Sequence, residues 1–144
     1  MIKSHVNGVE LERYSQQGVT TPDHVIRTKN LPLILHVGEN PLLSLRERLR
    51  DAMNHYVDKY DLYFRTQCAD KNLKKTKLDP LPRVVLVPGM GIFGVGRNYN
   101  EASIACDIAE NTIQTITNAE AIGTYSTLSD TDIFDVEYWS LEQA

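Results

Sequence analysis

The run Arg83-Val84-Val85-Leu86-Val87, with the glycines that follow it, constrains the fold of this chain more than any other feature. It is short, apolar and rich in branched residues, and it leads into Gly89-Met90-Gly91 and then Ile92-Phe93-Gly94-Val95-Gly96. Two such runs split by glycines read as a hairpin of two strands. Asn98, with Glu101 three positions on, reads as a capping box that opens a helix. Ala105, Ile108, Ala109, Thr112, Ile116 and Ala119 continue at helical spacing, and Gly123 is placed to end the helix in a left-handed C-cap. A strand, a turn, a strand and a helix in one run call for an α/β domain. The same glycines satisfy G-x-G-x-x-G. A dinucleotide loop, however, needs its third glycine at a helix N-terminus, and here Val95-Gly96-Arg97-Asn98 intervenes.

Upstream, Leu31-Pro32-Leu33-Ile34-Leu35-His36-Val37 reads as a buried strand, with Pro32 near its start. Asn40 and Pro41 suit a helix N-cap and first-turn proline. From Pro41 to about Cys68, Leu42, Leu45, Leu49, Ala52, Tyr56, Tyr60 and Tyr63 share one helix face. Its tyrosines read as core packing with their hydroxyls at the rim. Val9 to Tyr14 suggests a short helix stopped at Gly18, and the lysine-rich stretch from Ala69 to Pro82 a surface loop. Ser129 with Asp132 looks like a further helix start leading through Phe134, Tyr138 and Trp139. Apolar groups that large near the end suggest a cut chain. The expectation is one α/β domain over residues 1–144. It has a small mixed sheet of strands 31–37, 83–88 and 91–96, covered by the helix faces 42–63 and 102–119.

With 144 residues, 42% hydrophobic and 24% charged, the chain has the size and composition of a single globular domain. A net charge of −4 argues against a nucleic-acid surface. Lys71, Lys74, Lys75 and Lys77 read as a solvated loop. Cys68 and Cys106 lie far apart with no metal-ligand spacing, as reduced thiols in a cytoplasmic protein do. No apolar run approaches the roughly 20 residues that cross a bilayer, and the first residues have no signal-peptide core. Neither a membrane nor a nucleic acid is an expected partner.

The densest chemistry lies in Thr20-Thr21-Pro22-Asp23-His24-Val25-Ile26-Arg27-Thr28-Lys29. Pro22 fixes its own φ and keeps Thr21 out of the helical region, so the run begins extended or as a turn. Asp23 then accepts backbone N–H bonds while His24, Arg27 and Lys29 point outward. A planar guanidinium fork beside a lysine suits a phosphate or carboxylate. The candidate anion site is Asp23, His24, Arg27 and Lys29, with the Gly89 and Gly91 turn and Arg97. The plainer alternative is an Asp-capped helix with a solvated basic turn.

TTPDHVIRTKNLPLIL, PRVVLVPGMGIFGVGRNYNEA and FDVEYWSLEQA together resemble the middle portion of bifunctional class II aldolase/short-chain dehydrogenase proteins. The likeness covers nearly the whole chain. In that family a rhamnulose-1-phosphate aldolase is joined to an alcohol or lactaldehyde dehydrogenase. The resemblance implies an internal fragment with an aldolase domain before it and a dehydrogenase domain after it as partners. It implies NAD and a divalent metal such as zinc for the parent, and a layered fold similar to part of a class II aldolase. A homo-oligomer is left open.

The departures bear on chemistry. Gly89-Met90 stands where a class II aldolase turn carries its histidine, and no H-x-H pair occurs among His5, His24, His36 and His55. A T-G-x-x-x-G-x-G loop and a Tyr-x-x-x-Lys pair are missing, since Tyr56 and Lys59 are three apart. With no complete catalytic set and no cofactor loop of its own, the chain reads as a non-catalytic scaffold or interface domain. The alternative is a sugar-phosphate or anion-binding module. The scaffold reading expects Arg27 and Lys29 in internal ion pairs with no open pocket; the binding reading expects a cleft where His24, Arg27 and the glycine turn meet.

Overall fold

The computed structural model describes residues 11–38 and 41–140. In chain order the elements are α1 (Leu11–Ser15), α2 (His24–Thr28), β1 (Leu33–Ile34), α3 (Pro41–Asp70), β2 (Val84–Val87), β3 (Gly91–Gly94), α4 (Tyr99–Ile122) and α5 (Asp130–Glu137). The expected α/β class holds, with a small mixed sheet and two long helices. Val9 and Glu10 at the expected start of α1, the Asn40 cap and the last four residues lie outside the described residues.

β2 is central because its side chains are apolar on both faces. β1 pairs with it in parallel, Leu33 against Val85 and Ile34 against Leu86. β3 pairs antiparallel, running from Val84 against Gly94 to Val87 against Gly91, which is the glycine-turned hairpin expected. The strand expected over 31–37 shortens to Leu33–Ile34, with one further bond from the Leu35 N–H to the Leu86 carbonyl at 2.9 Å.

Helix α4 lies on the sheet. Val84 and Leu86 pack with Leu11, Ala105 and Ala109, and Ile34 and Ile92 close the cluster. Asn98 caps the helix, its side chain accepting from the Glu101 N–H at 3.0 Å. The Glu101 carboxylate reaches back to the Arg97 N–H at 2.9 Å, one residue before the cap. The hydrogen bond from the Arg97 side chain, then that from its backbone N–H, holds the Glu101 carboxyl down at about 2. A carboxyl lowered in this way supports the fold above its ordinary range and loses that support as pH falls toward about 2. Carbon-detected NMR titration is expected to show the Glu101 midpoint well below the other glutamates; a midpoint above 4 contradicts the pairing.

Two expectations are corrected. Gly123 ends α4 with φ −176°, in extended backbone rather than the left-handed region, while its N–H still bonds the Ala119 carbonyl at 2.9 Å. Helix α3 does not lie across the sheet; it packs on α5 and on edge strand β1, leaving α4 as the main cover. The lysine-rich stretch is a surface loop as expected, tied down by Lys71 to Asp135 at 2.7 Å and Lys77 to Asp61 at 2.6 Å.

Helix α5 joins two further clusters. Ile133 packs with Val19 and Val25. Phe134 and Tyr138 stack at 4.5 Å between ring centroids and pack with Tyr60, Tyr63 and Phe64 of α3. Among the described residues no helix is long and apolar enough to cross a membrane.

Candidate functional site

The Thr20–Lys29 run folds as a turn and a single turn of helix. Pro22 and Asp23 form the turn, with the His24 N–H on the Thr21 carbonyl at 3.1 Å and the Val25 N–H on the Pro22 carbonyl at 3.0 Å. Asp23 has right-handed helical backbone and makes no side-chain cap, contrary to its expected role as an N–H acceptor. Asp23 and Arg27 are exposed. His24 is half-buried, its Nδ1 3.3 Å from the Thr20 hydroxyl.

Lys29 does the opposite of what its sequence context suggests. Its backbone adopts φ 62°, a conformation uncommon for a residue with a side chain. The chain turns there, and the lysine goes inward instead of outward. Its Nζ donates to Glu137 Oε1 at 3.0 Å and to the Tyr60 hydroxyl at 2.9 Å. The Tyr60 hydroxyl donates to the same Glu137 oxygen at 2.8 Å and lies 2.7 Å from the Tyr138 hydroxyl. The Leu78 N–H donates to Tyr138 at 3.2 Å, which closes the chain of bonds. The Lys29 and Glu137 side chains are only 8% and 2% exposed, so this is a buried ion pair.

Burial pulls the Lys29 ammonium below its ordinary range, and the Glu137 charge pulls it back up. Burial first, and then the Glu137 charge, push the Tyr56, Tyr60 and Tyr63 hydroxyls well above the usual tyrosine range. These phenols are therefore donors and not phenolates at neutral pH. Tyr56 donates to the Leu31 carbonyl at 2.7 Å. The buried Tyr63 hydroxyl faces Glu137 without a well-formed hydrogen bond. The hydroxyls of Tyr60 and Tyr63 thus point to a buried charge, not to the rim as expected.

A cavity of about 550 Å³ opens between α3 and the segment around β1. Lys29, Tyr56, Tyr60, Tyr63 and Glu137 line it, joined by His36, His55 and Lys59. Of the seven residues proposed from sequence, Lys29 alone lines this cavity. Gly89 and Gly91 sit in the β2–β3 turn at φ 83° and 130°, where an added Cβ meets nothing within 4 Å. Arg97 is exposed and paired with Glu101 at 2.7 Å. Among the described residues no three histidines, cysteines or acids converge as a metal site.

Sequence reasoning missed Glu137, Tyr60 and Tyr63 as partners of Lys29. The available signal was an acid set between the apolar Val136 and Tyr138, together with a helix carrying tyrosines on one face.

Fold and site together define a small α/β domain with a buried lysine–glutamate–tyrosine cluster beside a cavity. The chain belongs to the family described as aldolase class II, second domain, whose model matches residues 1–144. It is 28% identical over 141 residues to the uncharacterized oxidoreductase YuxG of Bacillus subtilis (strain 168), a match covering 95% of this chain and 20% of that protein. The chain therefore spans about a fifth of the length of this curated relative. No solved structure matches it.

Proposed function

We propose that this chain is a non-catalytic scaffold or interface domain of a cytoplasmic, bifunctional rhamnulose-1-phosphate aldolase/short-chain dehydrogenase of deoxy-sugar catabolism. The flanking aldolase and dehydrogenase domains are its partners, and NAD and a divalent metal serve those domains. The observation that carries this reading is the apolar surface of the hairpin. Met90, Phe93 and Tyr99 are 65%, 44% and 88% exposed, and Val95 in the same stretch is exposed as well. Exposed large apolar side chains concentrated in one ten-residue stretch suit contact with another protein surface. Family membership in a second aldolase domain, and a relative five times longer, supply the neighbours that such a surface needs.

Of what the scaffold reading expected, the internal ion pair is present at Lys29, but Arg27 is exposed and a cavity is open. The anion-module alternative loses its best cation, because Lys29 is neutralised by Glu137, and its expected residues His24, Arg27, Gly89 and Gly91 do not line that cavity. Hydrogen exchange is the test. Amides of residues 90–99 are expected to exchange at least ten-fold more slowly in the full-length protein than in this chain alone, since closing an interface suppresses local opening. Equal rates would overturn the scaffold reading. Saturable NMR shifts at Asp23, His24 and Arg27 with dihydroxyacetone phosphate would favour the binding module instead.

A further inference from the structure

A lysine buried against a single carboxylate is an expensive way to hold a fold together, since apolar residues of similar volume do as well or better. Lys29 adds to this a backbone at φ 62°, a kind of strain that gathers at functional sites. The pair is also not sealed into the core. Lys29, Tyr60 and Glu137 all line a cavity of about 550 Å³, within the size range of small-molecule sites. Tyr63 lines the same cavity, with its hydroxyl buried and facing Glu137.

We propose that Lys29 is an amine nucleophile that captures a short-chain aldehyde or ketone in this cavity as a reversible imine. Its Nζ has the two neighbours this chemistry needs, a proton acceptor at 3.0 Å and a hydroxyl relay at 2.9 Å. The Lys29 ammonium passes one proton to the Glu137 carboxylate, leaving amine and acid both neutral. The nitrogen lone pair then forms the C–N bond. The carbonyl oxygen takes the Tyr60 proton, and Tyr60 regains one from the nitrogen. Glu137 returns its proton to the resulting hydroxyl, the C–O bond breaks and water leaves. The product is a protonated imine paired with the Glu137 carboxylate, so charge and protons balance.

The wall also indicates the type of carbonyl compound. Lys29 and Lys59 face Glu12, Asp130 and Glu137, an acidic excess that favours an uncharged compound over a phosphorylated one. Capture of this kind involves no turnover and stands independently of the scaffold reading. The exchange test reads the 90–99 hairpin and not this cavity, so either proposal can fail alone.

The test is reductive trapping of the purified protein with glycolaldehyde and sodium cyanoborohydride, followed by peptide mass spectrometry. Saturable labelling of Lys29, faster than that of exposed Lys74, is expected. Labelling of Lys74 with Lys29 unmodified overturns the proposal, and this comparison needs no variant to fold. Tyr60→Phe keeps the ring and removes the relay. It is expected to slow trapping at Lys29 on the order of a hundred-fold, as loss of an acid–base group does, with Lys74 unchanged. An unchanged rate at Lys29 in that variant would reduce the cluster to a structural ion pair.

Discussion

Replacing Glu137 with alanine is expected to destabilise the domain by about 3–5 kcal/mol, the largest effect of any single polar change in this protein. The carboxylate is nearly inaccessible and accepts from both Lys29 and Tyr60 on one oxygen. Removing it leaves an ammonium that is only 8% exposed without its counter-charge. The Tyr60 hydroxyl would lose its acceptor at the same time. Urea unfolding of Glu137→Ala against the parent sequence reads the effect directly. The double variant Lys29→Met/Glu137→Leu removes both charges at similar volume and is expected to recover most of the loss, since the penalty belongs to the unpaired charge and not to the absent bond. A single-variant loss under about 1 kcal/mol would show that Lys29 is free to leave the interior, because only exposed pairs are worth so little.

The second large effect is expected at Gly94, at the end of β3. A Cβ there would run into the Ala102 carbonyl and come within 2.8 Å of Cys106 Sγ. The obstacle is the backbone of α4 itself, which no rotamer change can move. Gly96 has a similar limit, its Cβ position lying 2.6 Å from the Ala102 backbone nitrogen. These two glycines let the capped end of α4 sit directly on the hairpin. Gly94→Ala is expected to cost about 3 kcal/mol, the upper end for overpacking, by lifting α4 from the sheet. Gly89→Ala makes the informative comparison, because the added methyl there meets nothing and only the φ of 83° resists it. Thermal unfolding of both variants separates the two costs. A Gly94 variant no worse than the Gly89 variant would mean that the helix and sheet can shift apart at little cost.

Much of this architecture could be read from the sequence because it is local. The hairpin follows from two branched runs and their glycines, and the start of α4 from Asn98 and Glu101 at the spacing that satisfies unpaired N–H groups. The Ser129 cap of α5 was legible in the same way, its side chain accepting from the Asp132 N–H at 3.2 Å. The end of α4 was not. Gly123 permits a left-handed cap but does not require one, and the extended backbone prevailed.

The candidate site divides along the same line. That residues 20–29 concentrate charge is a property of the sequence; which way each charge points depends on a turn set by tertiary packing. Periodicity marked Tyr56, Tyr60 and Tyr63 as one helix face but not the group they would meet. The decisive partner, Glu137, lies 108 positions from Lys29, and nothing in either local sequence encodes that pairing. By itself the sequence determined the α/β class, the hairpin, the starts of α4 and α5 and the likeness to a bifunctional aldolase/dehydrogenase. The tertiary structure alone decided that Lys29 is buried, that tyrosine hydroxyls face a charge, and that a cavity opens beside them. Backbone hydrogen bonds and side-chain periods act over a few residues, whereas desolvation and ion pairing depend on which distant segments the fold brings together.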